Sequence, residues 1–343
     1  MTERLSDRLV EYFQTARGKE VNLKDIRTFL HIEPGSKDDQ NLRTQMATTM
    51  VSRKEIKPSG RNDGVYKVLV PIEPVQWSLD GEDKEGVLEF RFPRSYIDDT
   101  TFGIEELVEI SEGDLILITG ETNYGKTAVA LSILGENLDL LPTKPYLMGS
   151  EYTASNEQMS PKFKRRLKRM DWVQWIDGNG KRKFELLPVG SDYEDYVESD
   201  HLNVIDWISL PGEYYLIDRV MKTIKDSVGL HGLAVPVIQK NKNAEFGEGG
   251  QRSERYADLV LRVDRFGEHE SMLTIGKVKS SKGKIPTGRM WAFEITDYGA
   301  NFQNIREVVK CPKCWAKGYI KNGQEAKRCA VCQGKKYVAK LED

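Results

Sequence analysis

One eight-residue segment near the middle of the chain constrains its fold more than any other feature. Residues 120–127 match the pattern G-x-x-x-x-G-K-[ST], between a strand-like run at 114–119 and a helix-like run at 128–134. The two glycines let successive backbone N–H groups face one phosphate, and the helix N-terminus adds its positive dipole. Lys126 would then reach the β- and γ-phosphates, and the Thr127 hydroxyl would bind Mg²⁺. The predicted cofactor-binding residues of this loop are Gly120, Glu121, Thr122, Asn123, Tyr124, Gly125, Lys126 and Thr127.

Two other strand-like segments end in acidic residues that such a site needs. Residues 201–206 form a buried-strand pattern ending in Asp206, which we expect to bind the Mg²⁺ together with Thr127. Trp207 follows directly, where many ATPases place a catalytic Glu. Residues 145–151 predict another strand, with Glu151 at the carboxyl end, where ligands meet parallel sheets. Glu151 is therefore the candidate for polarising an attacking water.

Taken in chain order, these segments resemble the RecA/DnaB family of RecA-fold recombinases and hexameric replicative helicases. The resemblance covers about residues 100–300 and includes the segments 233–239, 253–263 and 273–279. It implies an α/β fold with a RecA-like P-loop NTPase core and a mainly parallel sheet, binding ATP and Mg²⁺. It also implies catalytic roles. Glu151 would be the base, Lys126 the P-loop lysine and Gln239 the γ-phosphate sensor, while Lys277 and Lys279 would reach a neighbouring subunit's ATP.

The implied activity is that of a DNA-dependent ATPase, acting as an oligomeric motor or filament in replication, recombination or repair. The partners would be single-stranded DNA and further copies of this chain, in a hexameric ring or a filament. The Lys277–Lys279 pair is Lys-x-Lys, as in the recombinases, whereas the helicases usually carry Lys-x-Arg. The alternative is an ATP-gated DNA-binding regulator or scaffold that recruits a partner without translocating.

Two polar segments of this region are candidate DNA contacts. Residues 240–252 are Gly-rich and lack periodicity, and they lie where the family has its DNA loop. Lys240, Lys242 and Arg252 would contact phosphates and Phe246 would stack on bases, unless this is a surface loop without a ligand. Residues 161–170 hold six cations around a predicted helix, which fits either a DNA or subunit contact or a solvated helix.

The first seventy residues predict a small helical module. Apolar periodicity favours three helices, the second at 23–30 behind an Asn22 cap and the third from Asp39 to about Arg53. Residues 56–68 then predict a hairpin. This order resembles the winged helix-turn-helix family, whose third helix enters the major groove of duplex DNA. The candidate DNA contacts are Arg43, Lys57 and Arg61, and a protein-docking winged helix is the alternative.

All four cysteines lie near the end of the chain in the pattern C-x₂-C-x₁₄-C-x₂-C. Two such pairs complete a tetrahedral structural Zn²⁺ site. The resemblance is to zinc ribbons, and a redox dithiol pair is the alternative. The predicted zinc ligands are Cys311, Cys314, Cys329 and Cys332. The lysines around them favour contact with nucleic acid, and protein docking is the alternative.

Composition sets the predicted boundaries. Residues 1–70 carry 13 Lys/Arg and 10 Asp/Glu, residues 71–110 carry 3 and 11, and residues 311–343 carry 8 and 3. Basic ends around a less basic middle favour a polyanionic partner for the ends. The predicted divisions are a winged helix at 1–70, a linker and lead-in at 71–99, the core at 100–308 and the zinc ribbon at 309–343. No apolar run approaches the ~20 residues of a membrane span, so we expect a cytoplasmic protein.

Overall fold

The computed structural model describes residues 4–59, 64–71, 79–80, 85–154, 158–242, 244–322 and 325–340. The chain divides into two compact units, Met1–Gly81 and Glu82–Asp343. Arg61 lies outside the described residues, so its predicted DNA contact stays a prediction. Among the described residues, every helix is too short or too polar to cross a lipid bilayer.

The N-terminal unit combines three helices with a three-stranded antiparallel sheet in the order β1-β3-β2. A π-helical turn, Gln45–Met50, continues the third helix. In chain order the elements are α1 (Leu5–Thr15), β1 (Glu20–Asn22), α2 (Leu23–Leu30), α3 (Lys37–Thr44), β2 (Ile56–Pro58) and β3 (Val65–Val68).

Capping side chains set where the helices of this unit begin. Asn22 accepts a hydrogen bond from the Asp25 backbone N–H at 2.9 Å, and α2 spans the residues that were predicted. Ser36 caps α3 in the same way, so the third helix begins at Lys37 and not at Asp39. Asp39 instead lies buried inside it, where the Arg27 guanidinium donates to both of its carboxylate oxygens at 2.7 and 3.2 Å.

The second unit contains a ten-stranded sheet with helices on both faces. In chain order its elements are β4 (Val87–Leu88), β5 (Ile110–Ser111), β6 (Ile116–Gly120), α4 (Lys126–Glu136), β7 (Tyr146–Met148), α5 (Pro161–Arg169), β8 (Glu185–Leu187), β9 (Leu202–Ile208), α6 (Ile217–Ser227), β10 (Leu233–Gln239), β11 (Leu259–Phe266), β12 (Glu270–Val278), β13 (Met290–Thr296), β14 (Asn301–Lys310), β15 (Tyr319–Asn322), β16 (Glu325–Arg328) and β17 (Tyr337–Ala339).

The strand order places β6 at the centre of the sheet. Among the described residues it is β17-β14-β13-β12-β11-β6-β10-β9-β7-β8. The six strands from β11 to β8 are mutually parallel, and the four from β12 to β17 continue the sheet antiparallel. The predicted α/β class with a mainly parallel sheet is confirmed. All six parallel strands end at one edge, where α/β proteins bind ligands.

Strand β6 is buried on both faces, as its continuous aliphatic sequence predicts. Ile116 and Ile118 pack with α4 on one face, and Leu117 packs with α6 on the other. Each of these side chains is fully buried, so truncating one to Ala would cost about 2–5 kcal/mol of stability. The strand is therefore a rigid support for the loop that follows it.

Segments near the two ends of the second unit are attached to its core or to its sheet. Phe90 and Phe92, in the segment predicted as linker and lead-in, are buried in the main core. At the other end, β17 pairs antiparallel with β14, with Val308 opposite Ala339. The segment predicted as a zinc ribbon thus contributes the edge strand of the sheet. Its standing as a separate domain stays a prediction.

Candidate functional site

The loop between β6 and α4 has the compact geometry that its glycines predicted. Gly120 ends β6 beside β11, and a Cβ there would lie 1.9 Å from the Val263 carbonyl oxygen. Gly125 caps α4 with a φ of 101°, a left-handed conformation that glycine adopts without strain. Asn123 also has a positive φ, 69°. The chain therefore curls tightly before α4, and the N-terminus of this helix faces the space inside the curled loop.

Lys126 lies over this loop. Its ammonium donates to the Glu121 carbonyl oxygen at 2.8 Å. Burial lowers its pKa, while the nearby carboxylates of Asp206, Asp264 and Glu248 act to raise it. The result is a partly buried cation among acids, at the position where a phosphate would meet the helix N-terminus.

Asp206 is buried next to the loop, and its two carboxylate oxygens differ in their hydrogen bonding. The Tyr152 hydroxyl donates a short hydrogen bond to Oδ2, while Oδ1 is buried without a hydrogen bond of standard geometry among the described residues. Burial raises the pKa of Asp206, opposed by the Tyr152 and Thr127 hydroxyls and by Lys126. Oδ1 of Asp206 and the neighbouring Thr127 hydroxyl together form a donor set suited to Mg²⁺, which prefers oxygen ligands.

Glu151 lies on the same edge as Asp206. Strands β7 and β9 are neighbours, with Met148 opposite Ile205, so their carboxyl ends bring the two acids together. Glu151 is exposed, and its Oε1 accepts a hydrogen bond from the Trp207 indole at 3.3 Å. It lines a cleft of about 800 Å³ together with residues 123–128 of the loop. An acid thus faces the space above the phosphate loop, where an attacking water would stand.

Helix α5 forms part of the wall of this cleft, a placement that sequence patterns did not reveal. Lys162, Arg165 and Arg166 line the cleft together with the loop residues. The Arg166 guanidinium donates to the Tyr298 carbonyl oxygen at 2.8 Å, and Arg165 lies over the Tyr298 ring. The signal that could have revealed this face is the spacing of three and four residues between these cations, which puts them on one side of a helix. Only the fold shows that this face is turned toward the P-loop.

Strand β10 brings Gln239 beside the phosphate loop. Gln239 is in register with Gly120, and the Lys240 N–H donates to the Gly120 carbonyl oxygen at 2.9 Å. The Glu248 N–H donates to the Gln239 carbonyl oxygen at 2.8 Å, which closes the following loop at its base. A movement of the phosphate loop is therefore connected through backbone hydrogen bonds to residues 240–248.

The predicted DNA contacts of that loop lie in different environments. Lys240 is 6% exposed and forms an ion pair with Asp264, so its ammonium does not face solvent in this conformation. Phe246 is partly buried beneath the Arg262 guanidinium, 5.0 Å from the ring centroid. Lys242 and Arg252 are exposed. Only these last two present free charge to a ligand here.

Lys277 and Lys279 lie away from the phosphate loop of their own chain. Lys277 on β12 lies opposite Val260 on β11, and Val260 lies opposite Leu117 on β6. Leu117 comes about 10 Å before Gly120 along β6. Its ammonium donates to the carbonyl oxygens of Glu254 and Arg255 at 2.8 and 3.0 Å. Lys279 lies further still toward the opposite edge. The structure does not bring this pair to its own nucleotide site.

The four cysteines form one buried cluster. Their sulfur atoms all lie within 4.8 Å of one another. The Cys311–Cys329 and Cys314–Cys332 sulfur distances are 3.8 and 3.5 Å, too long for disulfides. A tetrahedral zinc ion with bonds of about 2.3 Å holds its sulfurs about 3.8 Å apart. The cluster therefore has the composition and the dimensions of a closed structural Zn²⁺ site.

The predicted contacts of the N-terminal unit are on its surface where they are described. Arg43 is exposed on α3 and lies 3.7 Å from the carboxylate of buried Asp39. Lys57 is exposed on β2. Both cations are therefore accessible to a polyanion.

No protein-family profile matches the sequence, and no curated protein matches it. Among solved structures, the chain is similar to a KaiC-like protein from Pyrococcus horikoshii OT3, with 17% identity, a TM-score of 0.44 and coverage of 62% of this chain and 98% of that one. It is also similar to the RadB recombinase, with 18% identity, a TM-score of 0.38 and coverage of 55% of this chain and 90% of that one. Both likenesses are too distant to assign a role to any residue.

Proposed function

We propose that this chain is a Mg²⁺-dependent ATP hydrolase of the RecA/DnaB type that acts on DNA in the cytoplasm as a homo-oligomer. One observation carries the proposal. The phosphate loop and Glu151 line a single cleft at the carboxyl edge of the parallel strands, and the buried Asp206 lies at the same edge, next to Thr127 of the loop. These groups supply phosphate binding, metal binding and a general base.

Each group has a role that its geometry supports. The backbone N–H groups of the loop and Lys126 would hold the phosphates, while Thr127 and Asp206 would hold Mg²⁺. When bound, Mg²⁺ would neutralise negative charge on the phosphates. Glu151 would orient the attacking water and draw its proton. Arg165 and Lys162 would add positive charge from the opposite wall of the cleft.

Gln239 would report the state of this site to the DNA loop. Its strand is hydrogen-bonded to β6, and the loop closes back on it through Glu248. Lys242 and Arg252 would contact DNA phosphates directly. Lys240 and Phe246 would join them only after leaving Asp264 and Arg262, so their contribution requires a rearrangement of the loop.

The proposed assembly assigns Lys277 and Lys279 to the nucleotide of a neighbouring copy. Both lie away from their own phosphate loop, so they would act at ATP only where a neighbouring copy presents its own site. That arrangement requires a ring or a filament. The N-terminal unit has the element order of a winged helix, and Arg43 and Lys57 would bring it to duplex DNA. The cysteine cluster would hold Zn²⁺ as a structural ion.

Two substitutions test the core of the proposal by separating nucleotide binding from hydrolysis. We expect Lys126→Ala to abolish binding of a fluorescent ATP analogue. We expect Glu151→Gln to retain binding but to lower turnover by about 10²-fold or more. Glu268→Gln, an exposed acid on the same cleft, is the matched control and should leave turnover nearly unchanged. Normal turnover in the Glu151→Gln protein would refute the proposed mechanism.

The ATP-gated regulator remains the second candidate, because the Lys277 and Lys279 ammoniums are held by groups of their own chain. ATPase assays with single- and double-stranded DNA separate the two, since a motor should be stimulated by at least one of them. Electron microscopy with a non-hydrolysable ATP analogue should then show rings or filaments. A strictly monomeric ATPase would contradict the motor.

A further inference from the structure

The cysteine module carries two exposed aromatic rings among lysines. Trp315 is 78% exposed and Tyr319 is 41% exposed. With Lys313, Lys317 and Lys321 they line a shallow depression of about 350 Å³, which we call the Trp315 groove. A large apolar ring so open to water points to a partner that covers it.

The cysteine cluster fixes the shape of this groove. The backbone N–H of Trp315 donates to the Cys311 carbonyl oxygen at 2.8 Å, and the backbone N–H of Lys317 donates to the Cys314 carbonyl oxygen at 3.0 Å. Ile320 packs against the cysteines, so Tyr319 and Lys321 alternate onto the other face of β15. The turn that gathers the sulfurs thus presents Trp315, and the strand beside it presents Tyr319.

The charge around the rings is not neutralised within the described part of the chain. None of Lys313, Lys317 and Lys321 forms an ion pair with a described acid. On β16, which pairs antiparallel with β15, Lys327 forms an ion pair with Glu325 at 3.8 Å. Phosphates would fit these lysines. Protein partners fit less well, because lysine is depleted at the cores of protein interfaces.

The combination of an open ring with flanking cations selects the form of nucleic acid. Unpaired bases stack on exposed aromatic rings while their phosphates meet cations in a groove. The bases of a duplex are already stacked on one another and offer only their edges. The groove therefore favours a single strand.

We propose that the Trp315 groove binds single-stranded nucleic acid, with a base stacked on Trp315 and phosphates held by Lys313, Lys317 and Lys321. This site is separate from the ATP cleft and needs no nucleotide. The stacking and phosphate chemistry is shared by DNA and RNA, so the test includes both.

Binding to full-length, zinc-loaded protein should be measured by fluorescence anisotropy with labelled 15-mers of dT and rU and a 15-bp duplex, without ATP. We expect Trp315→Ala to weaken single-strand binding about tenfold, and Trp315→Phe to restore most of it. Tyr196→Ala removes an exposed aromatic ring outside the groove and is the matched control. Zinc content should be equal in all variants, which shows that the module is still folded.

Crosslinking makes the test local, because other parts of the chain would also bind the oligonucleotide. With 5-iodouracil in the strand, we expect crosslinks at Trp315 or Tyr319. The proposal would be overturned if Trp315→Ala left the affinity unchanged and the unmodified protein crosslinked only outside the Trp315 groove. It would also be overturned if the duplex crosslinked to Trp315 and Tyr319 as efficiently as the single strand. Loss of ATP binding in Lys126→Ala must leave these crosslinks intact, so the two proposals fail separately.

Discussion

The Tyr152 hydroxyl donates its hydrogen bond to Oδ2 of Asp206, in a pair that is wholly buried beside the phosphate loop. The two residues come from neighbouring strands, since Tyr152 follows β7 and Asp206 lies in β9. The bond occupies one carboxylate oxygen and leaves Oδ1 for a cation. Tyr152 thus orients the acid that we propose as a metal ligand.

Removing that hydroxyl should weaken metal binding. In Tyr152→Phe the carboxylate loses the hydrogen bond that lowers its pKa, so Asp206 is more easily protonated and less well oriented. We expect the Mg²⁺ concentration for half-maximal turnover to rise about tenfold, with a loss of stability of about 1–3 kcal/mol. Tyr193→Phe, which removes a hydroxyl that donates to the Gly190 carbonyl oxygen, is the control. An unchanged Mg²⁺ titration would show that Tyr152 is not a positioning residue.

The basic face of α5 should contribute to ATP affinity. We expect Arg165→Ala to weaken binding of an ATP analogue about tenfold, as for a hydrogen bond to a charged group. Lys164→Ala, on the same helix but outside the cleft, should bind as the unmodified protein does. Equal losses in the two variants would mean that the helix acts only through its overall charge. Direct nucleotide titration at two salt concentrations distinguishes these outcomes.

Asp114 should make the stability of the second unit depend on pH. Burial raises its pKa to about 6, against about 3.9 in an unfolded chain. Between these values the folded state binds more protons than the unfolded state, so the stability that this group contributes is lost as pH rises from 4 to 6. Asp114→Asn should flatten that slope by on the order of 1 kcal/mol, as measured by urea unfolding at pH 4.5 and 7. The same slope in both proteins would contradict the assignment.

Zinc should stabilise the fold of the cysteine module without affecting the phosphate loop. We expect about one zinc ion per chain, which a strong chelator or Cys311→Ser should remove. The hydrogen exchange of β15 and β16 should then increase sharply, because the hairpin loses its buried cluster. ATP-analogue binding should persist, since the phosphate loop lies on a distant strand of the sheet. A fully zinc-free chain with an ordered hairpin would refute a structural metal.

Local signals were enough to predict several elements. The Asn22 cap and the apolar spacing after it gave α2 with its observed ends, and the glycine pattern gave the strand, loop and helix around Lys126. At the third helix, Ser36 provides the cap three residues before Asp39, and Arg27 makes it possible to bury the aspartate. A carboxylate predicted at a helix start is thus inside the helix, because its partner comes from another element.

Features that depend on distant pairs could not be predicted from single segments. Lys240 has the local character of a surface cation. Asp264 of β11 reaches it only because β11 and β10 pair with opposite sides of β6. Helix α5 was predicted correctly, but its sequence did not show which way its cations face. The opposite wall of the cleft is formed by residues more than thirty positions away in the chain. The exposure of Trp315 depends likewise on the turn that the cysteines impose.

The pairing of β17 with β14 has a mechanical consequence for the chain. Because the cysteine module lies between β14 and β17 in the chain, a strand of nucleic acid pulling on it would act on two paired strands of the sheet at once. The tension would then pass into the same sheet that carries the phosphate loop. The cysteine module is thus held at both ends by paired strands, as a handle on the sheet, and does not trail from it on a tether.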